Sequence, residues 1–161
     1  EMALAAAEGE TVAVAALLAV QLGFASHQGL PLAALVARVA VTLILLLGVT
    51  RALLASRKLE NRGTQTVLAL AGTGLIFALA MMPMALALQP HLENKEPPPE
   101  VMVYALAALA LFVWKLVVEA AIWRQALNIA TAPAYALTLG LVLAEAVLLF
   151  LLAPAPLPAA P

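Results

Sequence analysis

Residues 101–123 read VMVYALAALALFVWKLVVEAAIW, a run in which one lysine and one glutamate are the only charged side chains. At about 1.5 Å per residue, a helix of this length crosses the roughly 30 Å hydrocarbon core of a bilayer. Alanine, leucine and valine dominate. The first two are strong helix formers, and no alternation of apolar and polar positions marks the strand of a barrel. A segment in lipid must also satisfy its own backbone hydrogen bonds, which a helix does. The stretch therefore reads as a transmembrane helix.

The remainder of the chain has the same character. Of its 161 residues, 65% are hydrophobic and 11% charged, against about 45–50% and about 25% in soluble domains. A water-soluble fold of this length has too little interior to hide so much apolar surface, and the excess is expected to face lipid. Apolar blocks recur at about 11–24, 32–54, 64–88, 101–123 and 135–152. The expected fold is all-α, a polytopic transmembrane helical bundle of five spans forming a single domain over 1–161. The first block is short. Unless its helix begins within MALAAAEGE, which draws Glu8 and Glu10 to the interface, it is re-entrant or lies on the surface, and four spans remain. Pro83 falls near the end of the third block, where a kink costs little.

Orientation follows from the cations. The connection between blocks two and three holds Arg51, Arg57, Lys58 and Arg62, and the one between four and five holds Arg124. The positive-inside rule makes both cytoplasmic and makes the acidic, proline-rich segment 89–100 external. Five spans then imply a cytoplasmic N-terminus and an external C-terminal tail in a multi-pass membrane protein. The chain begins at Glu1, so a longer product or a processed start is expected, and no secretory signal is read.

Composition also excludes several chemistries. A net charge of −1 offers no field to hold nucleic acid. The absence of cysteine removes disulfides, thiolate nucleophiles and sulfur-ligated metals. His27 and His91 fall in predicted connections, and the chain has no aspartate, so no metal, haem or other cofactor and no catalytic set is expected at membrane depth. Glu93, Glu96 and Glu100 read as a solvated acidic loop rather than a cation site. Met81, Met82 and Met84 read as packing residues rather than thioether ligands. The GTG at 72–74 lacks the strand and lysine of a phosphate loop.

The charges inside the blocks carry the functional reading. Tyr104 and Trp123 are expected at the two interfaces of the fourth span, which puts Lys115 near the bilayer centre and Glu119 about 6 Å further toward the cytoplasm. Glu145 reaches a similar depth in the fifth block. Arg38 lies in the outer part of the second, where its stem can snorkel outward. Each such charge costs about 2.5–3.5 kcal/mol at the centre of a span, so none should stand alone. Lys115 and Glu119, four residues apart, share a helical face and can pair, with Glu145 joining from the fifth helix. The cluster is then a structural device that fixes helix packing, or a proton, ion or substrate relay with Glu145 as the switching carboxylate, or a polar face that docks another subunit.

A second feature is TQTVLALAGTGLIFALAMMP, residues 64–83. Gly72, Gly74 and Ala78 suit close helix packing, including packing against a second copy. Gln65, Thr66 and Thr73 suit interhelical hydrogen bonds or the lining of a polar site. Extended to NRGTQTVLALAGTGLIFALAMMP and followed by a helix with Trp114 that ends in WRQAL at 123–127, this region resembles a loosely defined set of bacterial inner-membrane proteins, similar in organisation to the Yip1-type five-span family. The resemblance covers about 62–150 and rests on Gln65, Thr66, Ala69, Leu70, Gly72, Thr73, Gly74 and Pro83. It implies a five-helix bundle with a cytoplasmic N-terminus; in eukaryotic members it implies a scaffolding or trafficking role, in bacteria no settled one, and it supplies no catalytic residues. The expected function is a non-enzymatic scaffold, assembly or regulatory subunit, its partners membrane lipids and another membrane protein or itself. The alternative is a small proton- or ion-coupled secondary transporter that uses Lys115, Glu119 and Glu145.

Overall fold

The computed structural model describes residues 2–27, 29–91 and 98–152, and nearly all of these are helical. The α-helices are α1 (Met2–His27), α2 (Leu32–Leu43), α3 (Thr50–Ser56), α4 (Gly63–Leu88), α5 (Pro99–Leu127) and α6 (Thr131–Leu152). A π-helical turn, Ile44–Val49, joins α2 to α3 without a break, and short 3-10 turns flank α4 at Glu60–Arg62 and Gln89–His91. Five stretches are long and apolar enough to cross a membrane: Ala7–His27, Leu32–Ser56, Glu60–His91, Pro99–Leu127 and Thr131–Leu152.

The first helix starts at Met2, ahead of Glu8 and Glu10, so its length no longer sets it apart from the others. Arg51 lies inside α3 rather than in a connection. Proline at the first position starts α5, and Asn128, in the left-handed conformation at φ 51, ends it. α4 runs through Pro83 to Leu88, with Pro83 exposed on its outer side. The expected acidic loop falls mostly on residues 92–97, so Glu93, Lys95 and Glu96 lie outside the described residues, while Glu100 sits in the first turn of α5.

The helices close into a ring. α1 packs on α4, α4 on α5, α5 on α6, α6 on α2, and α2 back on α1. Beyond the π turn the chain leaves this wall: α3 packs against α4 and α5 instead. The same polypeptide is therefore wall over α2 and plug over α3.

The plug explains where the core sits. Leu54, Leu70, Ala120, Trp123, Leu127 and Ala134 form one buried cluster at this end of the ring. Val14, Leu17, Val67 and Ala71 form a second between α1 and α4. Trp123 is only 2% exposed, so it belongs to the core and not to an interfacial belt as its sequence position suggested, whereas Tyr104 is exposed. Arg57, Lys58, Arg62 and Arg124 lie at the ends of elements that meet here, and this end is called the basic end below.

Two of the expected orienting cations have structural partners. Arg51 Nη2 donates to Glu10 Oε1 at 2.7 Å, tying α3 to the buried Glu10 of α1. Arg62 Nη1 donates to the carbonyl of Gln125 at 2.8 Å, one of the last-turn carbonyls that α5 cannot satisfy itself.

The outside is apolar. Met102, Leu106, Leu109, Val113 and Val117 form an exposed stripe on α5, and Leu139, Leu143, Val147 and Phe150 form another on α6. Steps of three and four residues keep each stripe on one face. A contiguous belt of this extent is a liability in water and a normal surface in lipid.

Candidate polar cavity

Lys115 and Glu119 project from α5 one turn apart, and their spacing places both on the same face. Lys115 Nζ stands 2.6 Å from Glu119 Oε1, with 16% and 14% of the two side chains exposed. The ammonium also lies 5.5 Å from the centre of the Phe77 ring on α4, within the range of a cation–π attraction. This face of α5 therefore turns toward the interior of the ring.

There it meets a cavity of about 480 Å³, lined by residues from all five long helices. The volume falls in the roughly 300–1,000 Å³ range of small-molecule sites. Its charged lining is Arg38 from α2, Lys115 and Glu119 from α5, and Glu145 from α6. Two cations thus face two anions. Arg38 is half-buried and joins the cavity. Among the described residues, however, neither Glu145 nor Arg38 has a direct ion pair.

At the basic end the cavity wall includes Thr50, Leu70 and Trp123, and toward the opposite end it extends to Phe24, Arg38 and Ala85. Thr50 is completely buried, and its Oγ1 has no hydrogen-bond partner among the described residues. The local backbone offers a reason. Thr11, Thr66 and Thr138 each follow a regular α-turn and donate to the carbonyl four residues back, those of Ala7, Arg62 and Ala134. Thr50 follows the π turn, whose wider ring displaces the carbonyls that a threonine normally reaches. Further along the wall, Thr42 Oγ1 donates to Gln21 Oε1 at 3.1 Å, joining α2 to α1.

The other expected site residues divide. Gly74 and Ala78 line the cavity; Gly72 does not. A Cβ at Gly74 would meet only Leu17, at an ordinary 3.4 Å, and one at Gly72 would meet nothing within 4 Å. Within this chain neither glycine lets another backbone come close. Gln65 is exposed, Thr66 is buried and bonded to its own helix, and Thr73 is buried; none of the three lines the cavity. Met81 and Met82 line it, and Met84 does not. His27 ends α1 and His91 ends the 3-10 turn after α4. Among the described residues no three His, Cys, Asp or Glu side chains converge as metal ligands would.

Sequence reasoning missed Thr50, Phe77 and the Gln21–Thr42 pair. A lone glutamine inside an apolar block was a signal for the last of these. Nothing in the composition of ILLLGVT, residues 44–50, announces a π turn.

No protein-family model, curated protein or solved structure matches this chain.

Proposed function

We propose that the chain is a multi-pass membrane protein and that its cavity is the substrate site of a small proton- or ion-coupled secondary transporter. The observation that supports this reading is the placement of Arg38, Lys115, Glu119 and Glu145 around one cavity to which every long helix contributes. Charge at membrane depth is expensive and tends to mark a pathway. A scaffold or assembly subunit needs only a cluster that closes on itself, and Lys115 with Glu119 already provides that. Arg38 and Glu145 go further: they face shared space without bonding each other.

In this reading Glu145 is the switching carboxylate. Protonation removes its attraction to Lys115 and Arg38 and its repulsion from Glu119, so a proton and a solute compete for, or cooperate at, the same group. The basic end faces the cytoplasm by the positive-inside rule. In a Yip1-type organisation the N-terminus lies on that side too.

The test is flux. Purified protein in liposomes should carry a solute in response to an imposed pH or ion gradient, and Glu145→Gln should abolish the movement while leaving the protein monodisperse. Absence of gradient-driven flux across a broad solute panel would overturn the proposal and return the scaffold reading to first place.

A further inference from the structure

The arrangement of the four charges restricts what the cavity can accept. Lys115 is neutralised by Glu119 at 2.6 Å and further held by the Phe77 ring. Arg38 and Glu145 line the same cavity with no ion pair between them. They stand on neighbouring helices of the ring, α2 and α6. By helical rise Arg38 lies about 9 Å in from Leu32 and Glu145 about 10 Å in from Leu152.

Consider what can lie between a guanidinium and a carboxylate in a space from which water is partly excluded. A solute with one charge pairs with one of them and leaves the other unmatched, a loss that low dielectric makes large. An uncharged apolar solute strands both. A molecule with separated negative and positive ends matches both and adds no net charge. The remaining wall is mostly apolar, with Phe24, Leu45, Met81, Met82 and Phe112 among its residues.

We infer that the cavity binds a zwitterion with an apolar body, its anionic end on Arg38 and its ammonium end on Glu145. This rests on the reading of the cavity as a substrate site and names the class of substrate. Two sources share that chemistry. One is a free α-amino acid with an apolar side chain; the other is the ammonium–phosphate headgroup of a zwitterionic phospholipid entering from the bilayer. Each offers two equivalent anionic oxygens, of a carboxylate or a phosphodiester, to the guanidinium and an ammonium to the carboxylate.

The experiment uses the full chain in nanodiscs. In one arm the lipid is phosphatidylglycerol alone, and radiolabelled leucine, methionine and phenylalanine are the probes. For each, the matching deaminated acid and decarboxylated amine serve as singly charged competitors. In the other arm the protein is exchanged into mixed phosphatidylethanolamine and phosphatidylglycerol, and retained lipid is read by native mass spectrometry. The expected result is retention of a zwitterion in one arm, with each singly charged analogue weaker by roughly tenfold or more.

Arg38→Gln should reduce the preference for the zwitterion over the amine, and Glu145→Gln the preference over the acid. A purely structural role for these residues would not produce that crossed pattern. Amino-acid binding identifies the soluble source, and selective phosphatidylethanolamine retention the lipid source. If the wild type favours the zwitterion in neither arm, the inference is overturned, whatever the variants do. Zwitterion binding without liposome flux would remove the transporter reading and leave this one. Gradient-driven ion flux without zwitterion preference would do the reverse.

Discussion

Lys115 Nζ sits 2.6 Å from Glu119 Oε1 on one turn of α5, while Glu145 on the adjacent α6 shares their cavity and forms an ion pair with neither. The four interior charges are thus a closed pair and an open pair. The closed pair is held by helix geometry alone, since residues four apart meet wherever the helix goes. The open pair depends on how α2 and α6 are rotated, and its charges are available to something else. Different experiments separate the two.

For the closed pair, removing one partner should hurt more than removing both. Glu119→Gln leaves a largely enclosed ammonium without its paired carboxylate, with only Glu145 elsewhere in the cavity, a change that costs about 3 kcal/mol or more in comparable burial. The double variant Lys115→Met with Glu119→Leu should recover most of that loss. Reversible unfolding in mixed micelles measures both, and additive effects would show that the pair is not coupled.

At the basic end the ion pair of Glu10 and Arg51 should behave differently. Arg51 is 61% exposed although Glu10 is buried, so solvent screens much of the attraction. Arg51→Ala is expected to lower stability by about 0.5–1 kcal/mol at low ionic strength. The difference should shrink in concentrated salt. A salt-independent loss would point to packing by the arginine stem instead.

Thr50→Val replaces an unpartnered hydroxyl by a methyl group of similar shape. Because an unmatched buried polar group costs about 1–3 kcal/mol, the variant should be as stable as the parent or more so. Its binding of the zwitterion probe should be unchanged, because the hydroxyl is sealed from the cavity. A marked loss of stability would mean that the hydroxyl is already satisfied within the fold.

The absence of cysteine allows single-cysteine mapping without background. Lys58→Cys, at the basic end, should be protected from a membrane-impermeant maleimide in intact cells and react after permeabilisation. Leu30→Cys, between α1 and α2, should react without permeabilisation. The opposite pattern would invert the orientation, and equal reactivity would argue against a sealed membrane between the two positions.

How much of this could be read from the chain depends on the kind of information required. Helix, length and apolar character are local, so the five long helices could be read directly, although the start of α1 at Met2 and the start of α5 at Pro99 shifted the boundaries. The Lys115–Glu119 contact was legible for the same reason. Depth was legible by counting, which grouped Glu145 with Lys115. Rotation about a helix axis was not. Arg38 at a given depth can reach outward or inward, and only the packing of α2 on α1 and α6 turns it inward. Trp123 was assigned to an interface by the same ambiguity and is buried by α3, whose position depends on a π turn. Gln65 and Thr73 were expected to line a site because they are polar, yet their faces of α4 turn away from the cavity. Contacts such as Glu10–Arg51 join residues far apart in sequence, and nothing in either neighbourhood announces the other.

The insertion at Ile44–Val49 has a mechanical corollary. A π turn carries one residue more than an α turn. Were its hydrogen bonds to revert to the α pattern, everything after Val49 would screw round by about 100° and slide about 1.5 Å. That would re-aim Thr50 and Leu54, the stopper at the base of the vessel, while Arg38 upstream kept its station on the staves. One continuous helical stretch thus carries Arg38 on one side of six π-helical residues and Thr50 and Leu54 on the other.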